Sequence, residues 1–103
     1  MTREEMAAQM DKVFEECQKF YKAGQLEYAH ESDNAFRNFE QLAKDLSLDR
    51  EKVLWIFLKK HLDGILSWIN GHRSQRESVQ GRIGDAIVYL CLLSGMAEET
   101  EAS

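Results

Sequence analysis

The sequence predicts an all-α protein built as a four-helix arrangement, and three observations carry that prediction. Its 103 residues contain no proline, so no helix is interrupted by a missing N–H donor. Apolar residues recur at spacings of three and four over long stretches, which is the period of one helix face. Hydrophobic residues make up 44% and charged residues 30% of the chain, a balance that suits a folded core and excludes disordered tails and membrane bundles. A chain of this length buries roughly two thirds of its unfolded surface, so folding needs no disulfide or metal staple. One domain over residues 1–97 is expected, with 98–103 as a frayed tail.

The first helix is read from Met6, Met10, Val13, Phe14, Cys17, Phe20 and Tyr21, with Glu4, Glu5, Asp11, Lys12, Glu15, Glu16 and Lys19 on the other face. Gly24 is expected to end it. Residues 25–32 then cross to the second helix with Tyr28 as an anchor. Asp33 or Ser32 caps that helix, whose buried side is Ala35, Phe36, Phe39, Leu42, Ala43 and Leu46. Asp49 is the expected N-cap of a third helix running to about Asn70, its carboxylate accepting a free N–H of the first turn. Gly71 stops that helix and residues 72–77 form a hydrophilic connection. Ser78 caps the fourth helix, 79–97.

The third and fourth helices are apolar on more than one stripe: Val53 to Leu58 with Leu62, Ile65, Leu66, Trp68 and Ile69, and residues 86–93. A chain of this size has little room for two wrapped helices. They are therefore expected at the centre, with part of their surface building a homo-oligomer interface. Cys17 and Cys91 lie 74 positions apart without a C-x-x-C pairing. That spacing excludes a disulfide scaffold and a cysteine-rich zinc site. Both are expected to be buried thiols, and a reducing cytoplasm is the default location. The longest apolar run is eight residues, so no spanning helix and no membrane partner are expected.

Charge is uneven. The net charge of −5 opposes duplex nucleic acid as a partner, since such binding rests on many Lys and Arg contacts to phosphate. Residues 1–49 carry −5, whereas 59–82 carry +3 through Lys59, Lys60, Arg73, Arg76 and Arg82 against Asp63 and Glu77. That basic stretch is either a solvated loop or a site for an isolated phosphate group. Gly81 and Gly84 stand three apart at the start of the fourth helix, each costing ~1 kcal/mol against alanine. Something must approach closely there, either another helix or a ligand at the N-terminal turn. Asp85 precedes the apolar run by one position and is expected to be partly buried, so it must find a cation or donors among Lys59, Lys60, His61 and Arg82. His61 falls at the spacing of Leu58, Leu62 and Ile65 and faces apolar residues. It is expected to be a satisfied core histidine before a ligand. No G-x-S-x-G and no glycine-rich phosphate loop is present.

The stretches from Tyr28 to Glu40, Lys60-His61-Leu62-Asp63, and Gly81-Arg82-Ile83-Gly84-Asp85 through Leu90 resemble a family of small phage-encoded helical proteins. These are similar in pattern to MazG-like and nucleotide-modification-associated domains. The resemblance covers about residues 12–96 and implies an oligomeric, nucleotide-handling fold in the cytoplasm of a bacterial host. MazG-like pyrophosphohydrolases hold Mg²⁺ with E-x-x-E and E-x-x-D pairs. Here the second pair is Arg82-x-x-Asp85, and the nearest spacing to the first is Glu40-x-x-Ala43.

Arginine in place of an acid attracts phosphate directly. The sequence therefore leans to binding without catalysis and without a cofactor. In that reading Arg82, Lys60 and His61 contact the phosphate or base of a nucleotide, Asp85 orients Arg82 or Lys60, and Asn38 adds a hydrogen bond. Sequestration of a host defence signal is the implied role. Two alternatives stand beside it. One is a divergent Mg²⁺-dependent nucleotide pyrophosphohydrolase, with Glu31, Asp33, Asp63 and Asp85 gathering the metal. The other is an anti-defence inhibitor, such as an anti-CRISPR protein, that binds a host defence protein through its acidic first half.

Overall fold

A computed structural model describes residues 1–28 and 32–102, with the side chains of Glu27 and Tyr28 excepted. The anchor expected at Tyr28 and the metal ligand expected at Glu31 lie outside the described residues. The order is α1 (Arg3–Tyr28), α2 (Arg37–Leu46), α3 (Arg50–Ile69) and α4 (Val79–Ala102), with no strand among the described residues. None of these helices is long and apolar enough to cross a membrane.

α1 does not stop at Gly24. Nothing lies near the position of a Cβ there and its φ is not positive, so the residue costs helix propensity without forcing a turn. Gly71 does end α3, at φ 104°. The His72 N–H returns to Ser67 O at 3.1 Å and the Gly71 N–H to Trp68 O at 3.0 Å, closing the last carbonyls as a left-handed C-cap does.

Neither Ser32 nor Asp33 caps α2. Asn34 leads into it instead: Oδ1 accepts the Phe36 N–H at 3.0 Å and Nδ2 donates to Glu40 Oε1 at 2.8 Å, while Ser32 Oγ accepts the Asn34 N–H at 3.1 Å. An asparagine turn mimics the missing backbone partner, and it shifts the start to Arg37. Asp49 stands at the N-cap of α3, but its carboxylate makes no capping hydrogen bond and lies 3.9 Å from Lys52 Nζ, while its carbonyl accepts the Lys52 and Val53 N–H groups. Ser78 caps α4 as expected, accepting the Gly81 N–H at 3.0 Å.

α3 and α4 run antiparallel at the centre: Arg50 reaches Met96, His61 faces Asp85, and Gly64 underlies Arg82. α2 packs on α3 and α1 on α4. The core is Phe36, Leu54, Leu58, Ala86 and Met96, flanked by Phe39, Ile65, Tyr89, Leu92 and Leu93. Phe39 meets Phe57 and Tyr89 edge to face, the geometry aromatic quadrupoles prefer. α1 meets α4 at Gly84, where Cys17 Sγ donates to the glycine carbonyl at 3.5 Å. Burial is the main cause that pushes the Cys17 thiol above its ordinary range, followed by Cys91, Glu16 and Asp85. Cys91, by contrast, is exposed, so only one of the two thiols is buried.

Residues 98–102 remain helical rather than frayed because Arg50 holds them. Its guanidinium lies 3.0 Å from Glu99 and 3.4 Å from Met96 O, with Glu40 and Glu51 at 3.8 and 3.3 Å and the Phe36 ring beneath it at 5.0 Å. Burial works against that charge, yet the hydrogen bonds with Glu99 and Glu51 outweigh it and hold Arg50 above its ordinary value.

The helices do not close over one another. The accessible surface is 7916 Å², against about 5,900 Å² for a compact monomer of this mass. The radius of gyration is 15.5 Å, where a compact chain of this length has about 13 Å. Met6, Met10, Phe14 and Phe20 on α1 and Trp55, Ile56, Leu66 and Ile69 on α3 are all exposed.

Phe36 is the joint of this arrangement. It is 8% exposed, and its ring lies 3.0 Å from where a Cβ on Gly95 would stand. Phe36→Ala is expected to destabilise the fold by about 3–5 kcal/mol, measured by urea unfolding at constant protein concentration.

Candidate functional site

Where the second half of α3 meets the first turn of α4, the structure gathers a polar cluster. α3 supplies His61 and Gly64, the connection supplies Gln75 and Glu77, and α4 supplies Arg82, Asp85 and Tyr89. His61 is 8% exposed, with its ring stacked on Tyr89 at 5.6 Å and 30°. Nδ1 stands 3.9 Å from Glu77 Oε2 and Nε2 stands 3.7 Å from Asp85 Oδ2. Both separations exceed hydrogen-bond length, and Nδ1 is buried without a partner. The expectation of a core histidine is met in burial and not in satisfaction. Burial, then the negative charges of Asp85 and Glu77, push the Tyr89 phenol above its ordinary value.

Arg82 is committed. Its Nε donates to Gln75 Oε1 at 3.0 Å, and Nη1 lies 3.9 Å from Glu77. Gln75 Nε2 in turn donates to Gly64 O at 3.2 Å and His72 O at 3.1 Å, so the connection is stapled to α3. A Cβ at Gly64 would fall on the Arg82 guanidinium. The bare backbone of Gly64 is what lets that side chain lie flat.

The other expected site residues are placed as follows. Lys60 is exposed and has no hydrogen-bond or charge partner among the described residues. Asn38 is exposed on α2 and shares a surface cleft of about 190 Å³ with Phe20, Tyr21, Asp85 and Tyr89. Glu77, Ser78, Gly81 and Asp85 line an adjoining cleft of about 540 Å³ with Phe20 and Gly24.

Within one chain the metal set of Asp33, Asp63 and Asp85 is not assembled. Asp33 sits in the approach to α2, and Lys59 holds both oxygens of Asp63, at 2.9 and 3.0 Å. The described residues instead bring one group together, His61, Glu77 and Asp85, with a ligand atom of each within 4.8 Å of the others. Glu77 and Gln75 were not legible as site residues, because a polar connection has no periodicity to mark which of its side chains turn inward.

The basic stretch is largely spent in place. Lys59 pairs with Asp63, Arg73 lies over the Trp68 ring at 3.9 Å, and Arg82 is held by Gln75 and Glu77. The notch between α3 and α4 is accordingly richer in carboxylates than in free cations. The chain matches no family model, no curated protein and no solved structure.

Two glycines test the packing of the cluster with opposite signs. Gly24→Ala meets open space and gains about 0.5–1 kcal/mol of stability from helix propensity. Gly64→Ala expels Arg82 from its seat and loses about 1–3 kcal/mol, as overpacking does. Urea denaturation of the two variants beside the parent chain gives both signs in one experiment.

Proposed function

We propose that the protein is a homo-oligomeric, non-catalytic binder of a phosphate-bearing nucleotide, of the phage type whose motifs it resembles. The observation that carries this reading is the joined pair of clefts running from the first turn of α4 to Asn38. One end is the first turn of α4, where Ser78 takes the Gly81 N–H and the N–H groups of Val79 and Gln80 remain to favour anionic oxygen. The other offers flat aromatic faces at Phe20 and Tyr21, with Asn38 and Asp85 as hydrogen-bonding groups. Phe20 is 66% exposed, a cost that a stacked base would offset. Arg82 joins a phosphate only by exchanging its 3.9 Å ion pair with Glu77 for the ligand. Lys60 and His61 line neither cleft, so they reach a ligand only if it extends beyond this pair of clefts. The biological use we attach to it is sequestration of a signalling nucleotide in the cytoplasm of a bacterial host.

Oligomerisation belongs to the same proposal. One chain exposes about 2,000 Å² more than a compact monomer of its mass would, and a stable dimer needs only about 800 Å² from each partner. The apolar groove between α1 and α4, lined by Phe14, Cys17, Tyr21, Phe36, Ile87 and Cys91, is the face we assign to a second copy. Light scattering behind size exclusion should give at least twice the 11.9 kDa of one chain, and Phe14→Glu should return the mass to one chain.

A thermal-shift screen of mono-, di- and cyclic oligonucleotides tests the ligand. A true ligand at 100 times its dissociation constant stabilises by ~2.7 kcal/mol, and Phe20→Ala should remove that shift. Release of pyrophosphate from a nucleoside triphosphate, lost in Asp85→Ala, would replace this reading with the pyrophosphohydrolase. No shift with any nucleotide, together with a stable complex with a host defence protein, would replace it with the protein inhibitor.

A further inference from the structure

We propose that His61, Glu77 and Asp85 form a site for a first-row divalent cation of the Mn²⁺ or Zn²⁺ kind. The inference stands on the orphaned imidazole and is independent of any nucleotide. His61 is more than nine-tenths buried, its Nδ1 has no hydrogen-bond partner, and its ring is fixed in plane by stacking on Tyr89. A buried polar nitrogen left unpaired costs free energy that a native fold recovers through a partner.

The two nearest candidates are carboxylates, yet neither closes on the ring. Direct hydrogen bonds from the ring to Glu77 and Asp85 would hold the carboxylate oxygens at about 2.7–3.2 Å. They stand instead at 3.9 and 3.7 Å. Ligands each about 2.1 Å from a shared ion lie roughly 3.0–3.5 Å from one another. The two carboxylates face different ring nitrogens, so one ion takes a single nitrogen, the unpartnered Nδ1 beside Glu77, and Asp85 swings in from within the 4.8 Å that spans the set. Their side chains are 49% and 50% exposed, which leaves room for that swing, Glu77 loosening its 3.9 Å pair with Arg82, whereas the histidine is already placed.

The surroundings fit the same assignment. Arg82 Nη1 stands 3.9 Å from Glu77 Oε2, the same oxygen that faces His61 Nδ1, and holds that carboxylate toward the ring. One imidazole nitrogen with two carboxylate oxygens is a mixed donor set, softer than the all-oxygen cages of Ca²⁺ and without the thiolates of structural zinc. Three protein ligands leave coordination positions open, and Glu77 and Asp85 both line the 540 Å³ cleft. Water or an anionic oxygen can therefore reach the ion from that side.

The test is a titration of Mn²⁺ into the full chain, with no nucleotide present, followed by the room-temperature paramagnetic resonance of the free ion. The expected result is loss of one equivalent of free-ion signal per chain, reversed by Zn²⁺. Glu77→Gln and Asp85→Asn, both at half-exposed positions that preserve the helical circular dichroism, should each weaken binding by about tenfold or more. Asp63→Asn, whose carboxylate is held by Lys59, should leave it unchanged. A free-ion signal that persists through the titration overturns the site, as does a loss of binding in Asp63→Asn equal to that in the other two. Because the titration contains no nucleotide, its failure and the failure of the nucleotide reading are separate results.

Discussion

The antiparallel contact of α3 with α4 is the constraint on which the other features depend. Its register places Arg50 against the end of α4 and His61 against the start of it, so the two ends of one interface do different work. Between them Leu54, Leu58, Ala86 and Met96 form a narrow apolar seam. The bare backbone of Gly64 makes room for the Arg82 guanidinium at the polar end, as only a residue without a Cβ can. At Gly84 the thiol of Cys17 reaches the carbonyl from α1, and a Cβ there would meet Sγ at an ordinary 3.9 Å.

The seam is thin for the surface it has to support, and Arg50 compensates at the other end. Its guanidinium touches α2 through Glu40 and the Phe36 ring, α3 through Glu51, and α4 through Glu99 and the Met96 carbonyl. A planar group with several donors can satisfy that many partners from one position. Exposed ion pairs contribute little individually, but the Arg50 side chain is only 18% exposed and its partners form a network. That network accounts for the helical state of residues 98–102. α1 has no equivalent staple among the described residues and rests on α4 alone, leaving a line of apolar side chains along its outer face.

Periodicity made the helices legible, because a 3.6-residue repeat is a property of the chain itself. The extents of α3 and the cap of α4 followed from Gly71 and Ser78, residues whose local chemistry does not depend on distant partners. Errors fall where local and tertiary effects compete. Gly24 has the composition of a stop but no positive φ, and Ser32 and Asp33 yielded the helix start to the asparagine turn at Asn34. The end of α4 depends on Arg50, 49 positions before Glu99 and thus outside any local window. For the site, His61 and Asp85 were readable as polar residues placed against apolar helical residues, and Arg82 as a base in the 59–82 stretch at the start of the fourth helix. Gln75 and Glu77 were not, since the pattern of a connection says nothing of which side chains turn back toward the core.

The largest change from sequence to structure concerns charge. Residues 59–82 are basic in sum, which suggests direct attraction of an anion. Folding redistributes that sum. Asp63 takes Lys59, the Trp68 ring takes Arg73, and Gln75 with Glu77 takes Arg82. At the mouth of the larger cleft the charged groups are then Glu77, partly offset by Arg82, and Asp85, whose carboxylate repels phosphate at close range. Net charge read along a segment describes long-range steering, whereas binding depends on which charges remain unpaired within a few ångströms. If phosphate is held at the first turn of α4, the helix N-terminus alone faces two negative side chains. A cation shared between those carboxylates and the His61 ring reverses the local sign, and gives a buried nitrogen and an anionic ligand the same partner.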